Sequence, residues 1–87
     1  MNLKVQAYPN PFGPNISLEV ICEKDEQVIF RLYNPSRKVI KMSYWKLVCG
    51  MNKIILDKLE RLTAGSYLIE LKDQNEGILF SMELQKE

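Results

Sequence analysis

The 87-residue chain is 46% apolar and 26% charged, with a net charge of +1, an ordinary balance for one small globular domain over residues 1–87. It has no histidine, which removes the commonest general base and metal ligand. No apolar run approaches the ~18 residues that span a bilayer, and a net charge this small does not suit a dedicated nucleic-acid binder.

In chain order, the start "MNLKVQAY" lacks signal-peptide anatomy, so a targeting segment is expected to belong to a longer parent. "LKVQAY" alternates as a strand does. "YPNPFGP" then stops it, because Pro9, Pro11 and Pro14 cannot donate to a β ladder. Tyr8 and Asn10 both precede prolines, which predicts a rigid extended strut over residues 8–11 at the end of an edge strand. Such a strut serves as a stiff corner that blunts a sheet edge. A sharper reading has it display Tyr8 and Phe12 for recognition.

"ISLEVIC" places Ile16, Leu18, Val20 and Cys22 on one face. "EKDEQ" is a polar turn, and "QVIFRLYN" points Val28, Phe30 and Leu32 inward. "NPSRK" is a turn, "KVIKMSYW" the next strand, "CGMN" a turn and "KIILD" a short strand. "KLERLTAG" is one helical turn or a loop. "SYLIEL" groups Tyr67, Ile69 and Leu71, with Tyr67 either core or a source of a corner-type hydrogen bond. "KDQNEG" is a turn, and "ILFSMEL" groups Ile78, Phe80, Met82 and Leu84. About seven short strands at this spacing predict an all-β antiparallel sandwich.

Few patterns carry chemistry. Cys22 and Cys49 read as core or strand-end thiols, or as a disulfide in an oxidising compartment. No calcium-loop spacing occurs, serines and cysteines have no histidine to activate them, and no cofactor, metal or catalytic residue is expected. Charge is unevenly spread. Residues 27–56 hold Arg31, Arg37, Lys38, Lys41, Lys46 and Lys53 with no acid, giving +6 against −2 before and −3 after. Tyr33, Tyr44 and Trp45 lie in the same block. Three uses are open: pairing with acidic neighbours across the sheet, a protein- or lipopolysaccharide-facing patch, or single-stranded nucleic acid.

The ordered set of blocks resembles a known family. "YPNPF", "FRLYN", Gly50-x-Asn52-x-Ile54, and Leu62, Ala64, Gly65 and Tyr67 follow the pattern of the immunoglobulin-like C-terminal sorting domain of the type IX secretion system of Bacteroidetes. The resemblance implies a non-catalytic tag on a larger secreted protein. The implied partners are a secretion translocon and a sortase-like surface peptidase, with outer-membrane association, no transmembrane segment and no nucleic acid. Cargo would pass through the periplasm to the surface or the medium. On this reading Tyr8, Pro9, Asn10 and Pro11 form the strut, Gly65 and Tyr67 fix the last hairpin, and Lys86 lies in a tail that the machinery reads. The glycine usual after tyrosine-asparagine is replaced near Arg37, which predicts a differently shaped hairpin. The alternative is a structural immunoglobulin-like spacer or adhesin module without a transport role.

Overall fold

A computed structural model describes residues 3–87; Met1 and Asn2 of the expected domain lie outside the described residues. Seven strands form in order: β1 (Leu3–Tyr8), β2 (Ile16–Cys22), β3 (Glu26–Tyr33), β4 (Val39–Leu47), β5 (Gly50–Leu56), β6 (Gly65–Lys72) and β7 (Ile78–Lys86). They make two antiparallel sheets, one ordered β1-β2-β5 and the other β4-β3-β6-β7. The architecture is the expected all-β, immunoglobulin-like sandwich. Residues 57–64 form a loop with a turn, settling the choice left open for "KLERLTAG".

Period-two alternation builds the core. Ile16, Leu18, Val20 and Cys22 of β2 are buried against Val28, Phe30 and Leu32 of β3 and Tyr67, Ile69 and Leu71 of β6. Trp45 of β4 stacks on Phe30, with ring centroids 4.5 Å apart and 11° between planes. Leu59, fully buried, ties the long loop down through its N–H to the Pro14 carbonyl (2.9 Å).

The final strand departs from simple alternation. Leu71 pairs with Phe80, but Lys72 pairs with Ile78, so Leu79 is bulged out of the ladder. One extra residue reverses the facing of everything beyond it. Leu84, Met82 and Phe80 therefore reach the core, while Ile78 is 63% exposed, against the expected grouping of all four. The strand after "CGMN" also begins earlier than expected, at Gly50, where φ is +98°.

Asn52 explains that early start. Its amide donates to the Val48 carbonyl (2.9 Å) and accepts from the Val48 N–H (2.9 Å), while Nδ2 also reaches the Val20 carbonyl (3.2 Å). One side chain thus closes the β4–β5 turn and fastens it to β2. The Gly50-x-Asn52-x-Ile54 spacing puts the glycine in the left-handed region, the amide on the turn, and Ile54 against the core.

The β3–β4 and β6–β7 hairpins use one turn twice. Arg37 N–H donates to the Asn34 carbonyl (2.8 Å), and Asn34 N–H donates to the Lys38 carbonyl (2.9 Å). Glu76 and Asp73 repeat this, with Asp73 N–H on the Gly77 carbonyl. Asn34 Oδ1 and Asp73 Oδ1 accept from the backbone N–H four residues on. The left-handed position is filled by Arg37 (φ 64°) and Glu76 (φ 65°). The expectation of a differently shaped hairpin at Arg37 is thus corrected, because arginine takes the conformation for which glycine is the usual residue. Each charged side chain reaches across its sheet, Arg37 to Glu83 (2.5 Å) and Glu76 to Arg31 (3.1 Å).

Candidate functional site

The prolines after β1 do not form the expected extended strut. The Tyr8–Pro9 and Asn10–Pro11 bonds are both cis, and the chain bends at residues 10–11 and 13–14. Bending carries the segment off β1 and onto the last strand of the other sheet. Phe12 pairs in parallel with Lys86 as an isolated bridge. Its N–H donates to the Gln85 carbonyl (2.8 Å), and its carbonyl accepts from Glu87 N–H (3.0 Å). Asn10 Oδ1 accepts from Gln85 N–H (2.9 Å). The proline-rich segment and the C-terminal tail therefore make one joint.

Phe12 is not displayed, correcting the sharper expectation for it. It is fully buried, with its ring edge-on to Tyr67 at 5.7 Å between centroids and 76° between planes. Burial of an aromatic ring locks a segment that has too few ladder bonds to hold itself. Tyr67 is core and corner at once. It is 2% exposed, and its hydroxyl donates to the Thr63 carbonyl four residues upstream (2.7 Å). This bond fixes the entry to β6, as the corner-type reading anticipates. Changing Tyr67 to Phe is expected to cost about 1 kcal/mol by leaving that carbonyl without its donor. Thermal unfolding should then shift down by roughly 5 °C for a chain of this size.

Gly65 opens β6 opposite Lys86, with φ +151°. A Cβ built there would meet Pro35 Cγ at 2.9 Å. The β3–β4 turn and the start of β6 thus approach more closely than any side chain permits. Lys86 is half-buried, and its ammonium donates to the Glu87 carbonyl (3.1 Å).

The structure brings Asn10, Phe12, Gly65, Tyr67 and Lys86 to one edge of the sandwich, where the sheets meet through β7. It does not bring Tyr8 there. The Tyr8 hydroxyl donates to Glu19 Oε2 (2.7 Å) on the neighbouring β2, and this hydrogen bond to a carboxylate raises the phenol pKa. Pro9 and Pro11 are exposed beside the joint. Residue types alone mark Phe12 only as a displayed aromatic. Its apolar character beside two prolines was the available signal for a buried anchor.

Basic residues of the middle block divide in two. Arg31 pairs with Glu76, which Lys72 also approaches at 3.6 Å; the guanidinium holds the Glu76 carboxyl below its ordinary pKa. Tyr33 donates to the buried Glu70 (2.7 Å), which raises the phenol pKa. This outer face of the four-stranded sheet fits the cross-sheet pairing expectation. Lys38, Lys41, Lys46 and Lys53 take part in none of the ion pairs of the described residues. Both cysteines are free thiols; Cys22 is buried, and exposed Cys49 donates to the Glu23 carbonyl (3.2 Å).

The family described as secretion system C-terminal sorting domain matches residues 6–81, from β1 into the last strand. No curated protein matches the chain. Among solved structures, a beta-D-glucoside glucohydrolase from Trichoderma reesei aligns with a TM-score of 0.51 at 11% identity, covering 100% of this chain and 18% of that one. An endonuclease/exonuclease/phosphatase from Beutenbergia cavernae aligns with a TM-score of 0.49 at 16% identity, covering 93% of this chain and 22% of its own. This chain spans about a fifth of either enzyme, and the first likeness speaks for the sandwich fold alone.

Proposed function

This chain belongs to the secretion system C-terminal sorting domain family of the type IX system, and on that premise we propose that residues 1–87 are a single domain at the end of a larger secreted protein. The family is a sorting-signal family, not a catalytic one. On the proposed reading the secretion translocon binds the folded domain in the periplasm. Cargo then crosses the outer membrane, and a sortase-like surface peptidase removes the tag, leaving the cargo attached to the surface or released. The match over residues 6–81 carries this reading.

The fold offers such machinery a composite surface. Exposed Pro9 and Pro11 sit beside the tail that contains Lys86, joined to it by Asn10, while Tyr8 lies farther along β1 against β2. Gly65 and Tyr67 act beneath that surface by holding the joint in place. A receptor that binds both the prolines and the tail reads a folded domain, because the two lie far apart in an unfolded chain.

The test fuses residues 1–87 to the C-terminus of a periplasmically exported fluorescent protein in a type IX-competent bacterium. Asn10→Ala and Lys86→Glu variants, both checked for folding by circular dichroism, accompany the parent fusion. The parent fusion is expected at the surface or in the medium, with both variants retained in the periplasm by about tenfold, the factor that corresponds to 1.4 kcal/mol of lost recognition. Export of both variants at the parent level would move recognition away from this surface. Retention of the folded parent fusion would leave the spacer or adhesin reading.

A further inference from the structure

The two flanks of the sandwich differ. On one flank the Phe12 bridge connects the segment after β1 to β7. On the other, β4 pairs only with β3 and β5 only with β2, so both are edge strands whose outer backbone groups have no strand partner. One sheet has three strands and the other four, and β4 overhangs the gap beside β5. Two hollows of about 290 and 420 Å³ lie along this gap, lined from both strands. Trp45 and Ile54 line the first, and Ile40, Met42, Ile55 and Leu56 the second.

Charge along the gap is of one sign over most of its length. Lys41 lines the larger hollow, and Lys46 and Lys53 the smaller. Lys53 stands opposite Glu19 in the ladder, but the Tyr8 hydroxyl occupies that carboxylate, and no ion pair joins the two. Asp57, just beyond β5, is the one acid lining either hollow. Lysines at a sheet edge ordinarily discourage pairing between like copies. Here they flank an exposed apolar set among the lining residues, with Met42 48%, Tyr44 75% and Ile55 59% exposed. A bare edge that combines apolar surface with unpaired cations selects its guest by charge rather than refusing every guest.

We propose that the gap between β4 and β5 is a docking groove for an extended polypeptide segment of alternating apolar and acidic side chains, which adds a fourth strand beside β5. Backbone groups of β5 supply the ladder. The guest's apolar side chains enter the hollows over Trp45, Ile54 and Leu56, and its carboxylates, on the opposite face of the added strand, meet Lys53, with Lys41 and Lys46 adding positive charge along the gap. A second copy of the same edge is disfavoured, because it would set lysines against lysines. The groove lies on the flank away from the Phe12–Lys86 joint, so this inference stands apart from the proposed sorting surface.

The test titrates the isotope-labelled chain with a peptide alternating valine and glutamate, matched in length to β5, while amide resonances are followed. A peptide alternating valine and lysine is the control. Saturable shifts are expected along Gly50–Leu56 and at Trp45, with little response to the lysine peptide. Raising salt from about 0.01 M to about 0.1 M, which shortens the screening length from about 30 to 10 Å, is expected to weaken binding several-fold. The variant Lys41→Glu/Lys46→Glu/Lys53→Glu is expected to bind the glutamate peptide at least tenfold more weakly and to gain affinity for the lysine peptide. Salt dependence of the unaltered chain gives a second reading should that variant fail to fold. Absence of saturable binding, equal binding of both peptides, shifts centred on β1 or β7, or sedimentation of the free chain as a dimer sealed along this edge would each overturn the proposal.

Discussion

Changing Gly65 to Ala is expected to destabilise the fold by about 3 kcal/mol, read by urea unfolding as a fall in midpoint without a change in slope. Two costs combine. A φ of +151° lies where side chains rarely sit, which alone costs on the order of 1–3 kcal/mol. The new methyl would also stand 2.9 Å from Pro35 Cγ, so the β3–β4 turn has to shift. These contributions separate experimentally. In Gly65→Ala/Pro35→Ala the collision is gone while the backbone cost remains, so about a third to a half of the lost stability is expected to return. No recovery would place the whole effect in the backbone. Full recovery would place it in the contact with Pro35.

Phe12→Ala is the other large effect, expected to cost roughly 3–5 kcal/mol. A chain of this length has only roughly 4–13 kcal/mol of stability in total, so the variant should sit near the edge of folding at room temperature. The ring is fully buried, edge-on to Tyr67. The backbone bonds from Phe12 to Gln85 and Glu87 do not use the side chain, yet they last only while the ring anchors the segment. Hydrogen exchange is the informative measurement. At the Gln85 amide, held by Asn10 Oδ1, exchange should accelerate well beyond that of the β3 and β6 amides. Phe12→Leu should retain most of the protection, since it keeps an apolar anchor. Uniform acceleration across the sandwich in both variants would show that Phe12 supports the core generally and not the joint in particular.

Most of the fold was legible in the sequence because alternation places the inward residues of most strands. Ile16, Leu18, Val20 and Cys22 needed only a period of two to be placed inward, and they are inward. Alternation failed where the ladder carries an extra residue. Nothing in "GILF" announces the bulge at Leu79. The turns were located, but their occupants misled. Arginine and glutamate at left-handed positions are uncommon, and what offsets them is the aspartate or asparagine hydrogen bond together with the ion pair each makes across the sheet. The candidate site was legible as a set of residues and not as a place. Phe12 and Lys86 are close only because the chain bends through the prolines, and a local rule for residues before proline cannot see a partner so distant in sequence.

The joint between Asn10 and Gln85 has a consequence for synthesis. It links residues 75 positions apart, and Phe12 is tied to Glu87. A ribosome exposes the proline segment long before its counterpart at residues 85–87. Until residues 85–87 emerge, the early segment has nowhere to dock, and the fully buried ring of Phe12 lacks part of its cover. Any product cut short before Gln85 would therefore present an unclosed flank. The closed flank is in this sense a proofreading mark: it is displayed only by chains translated through residues 85–87.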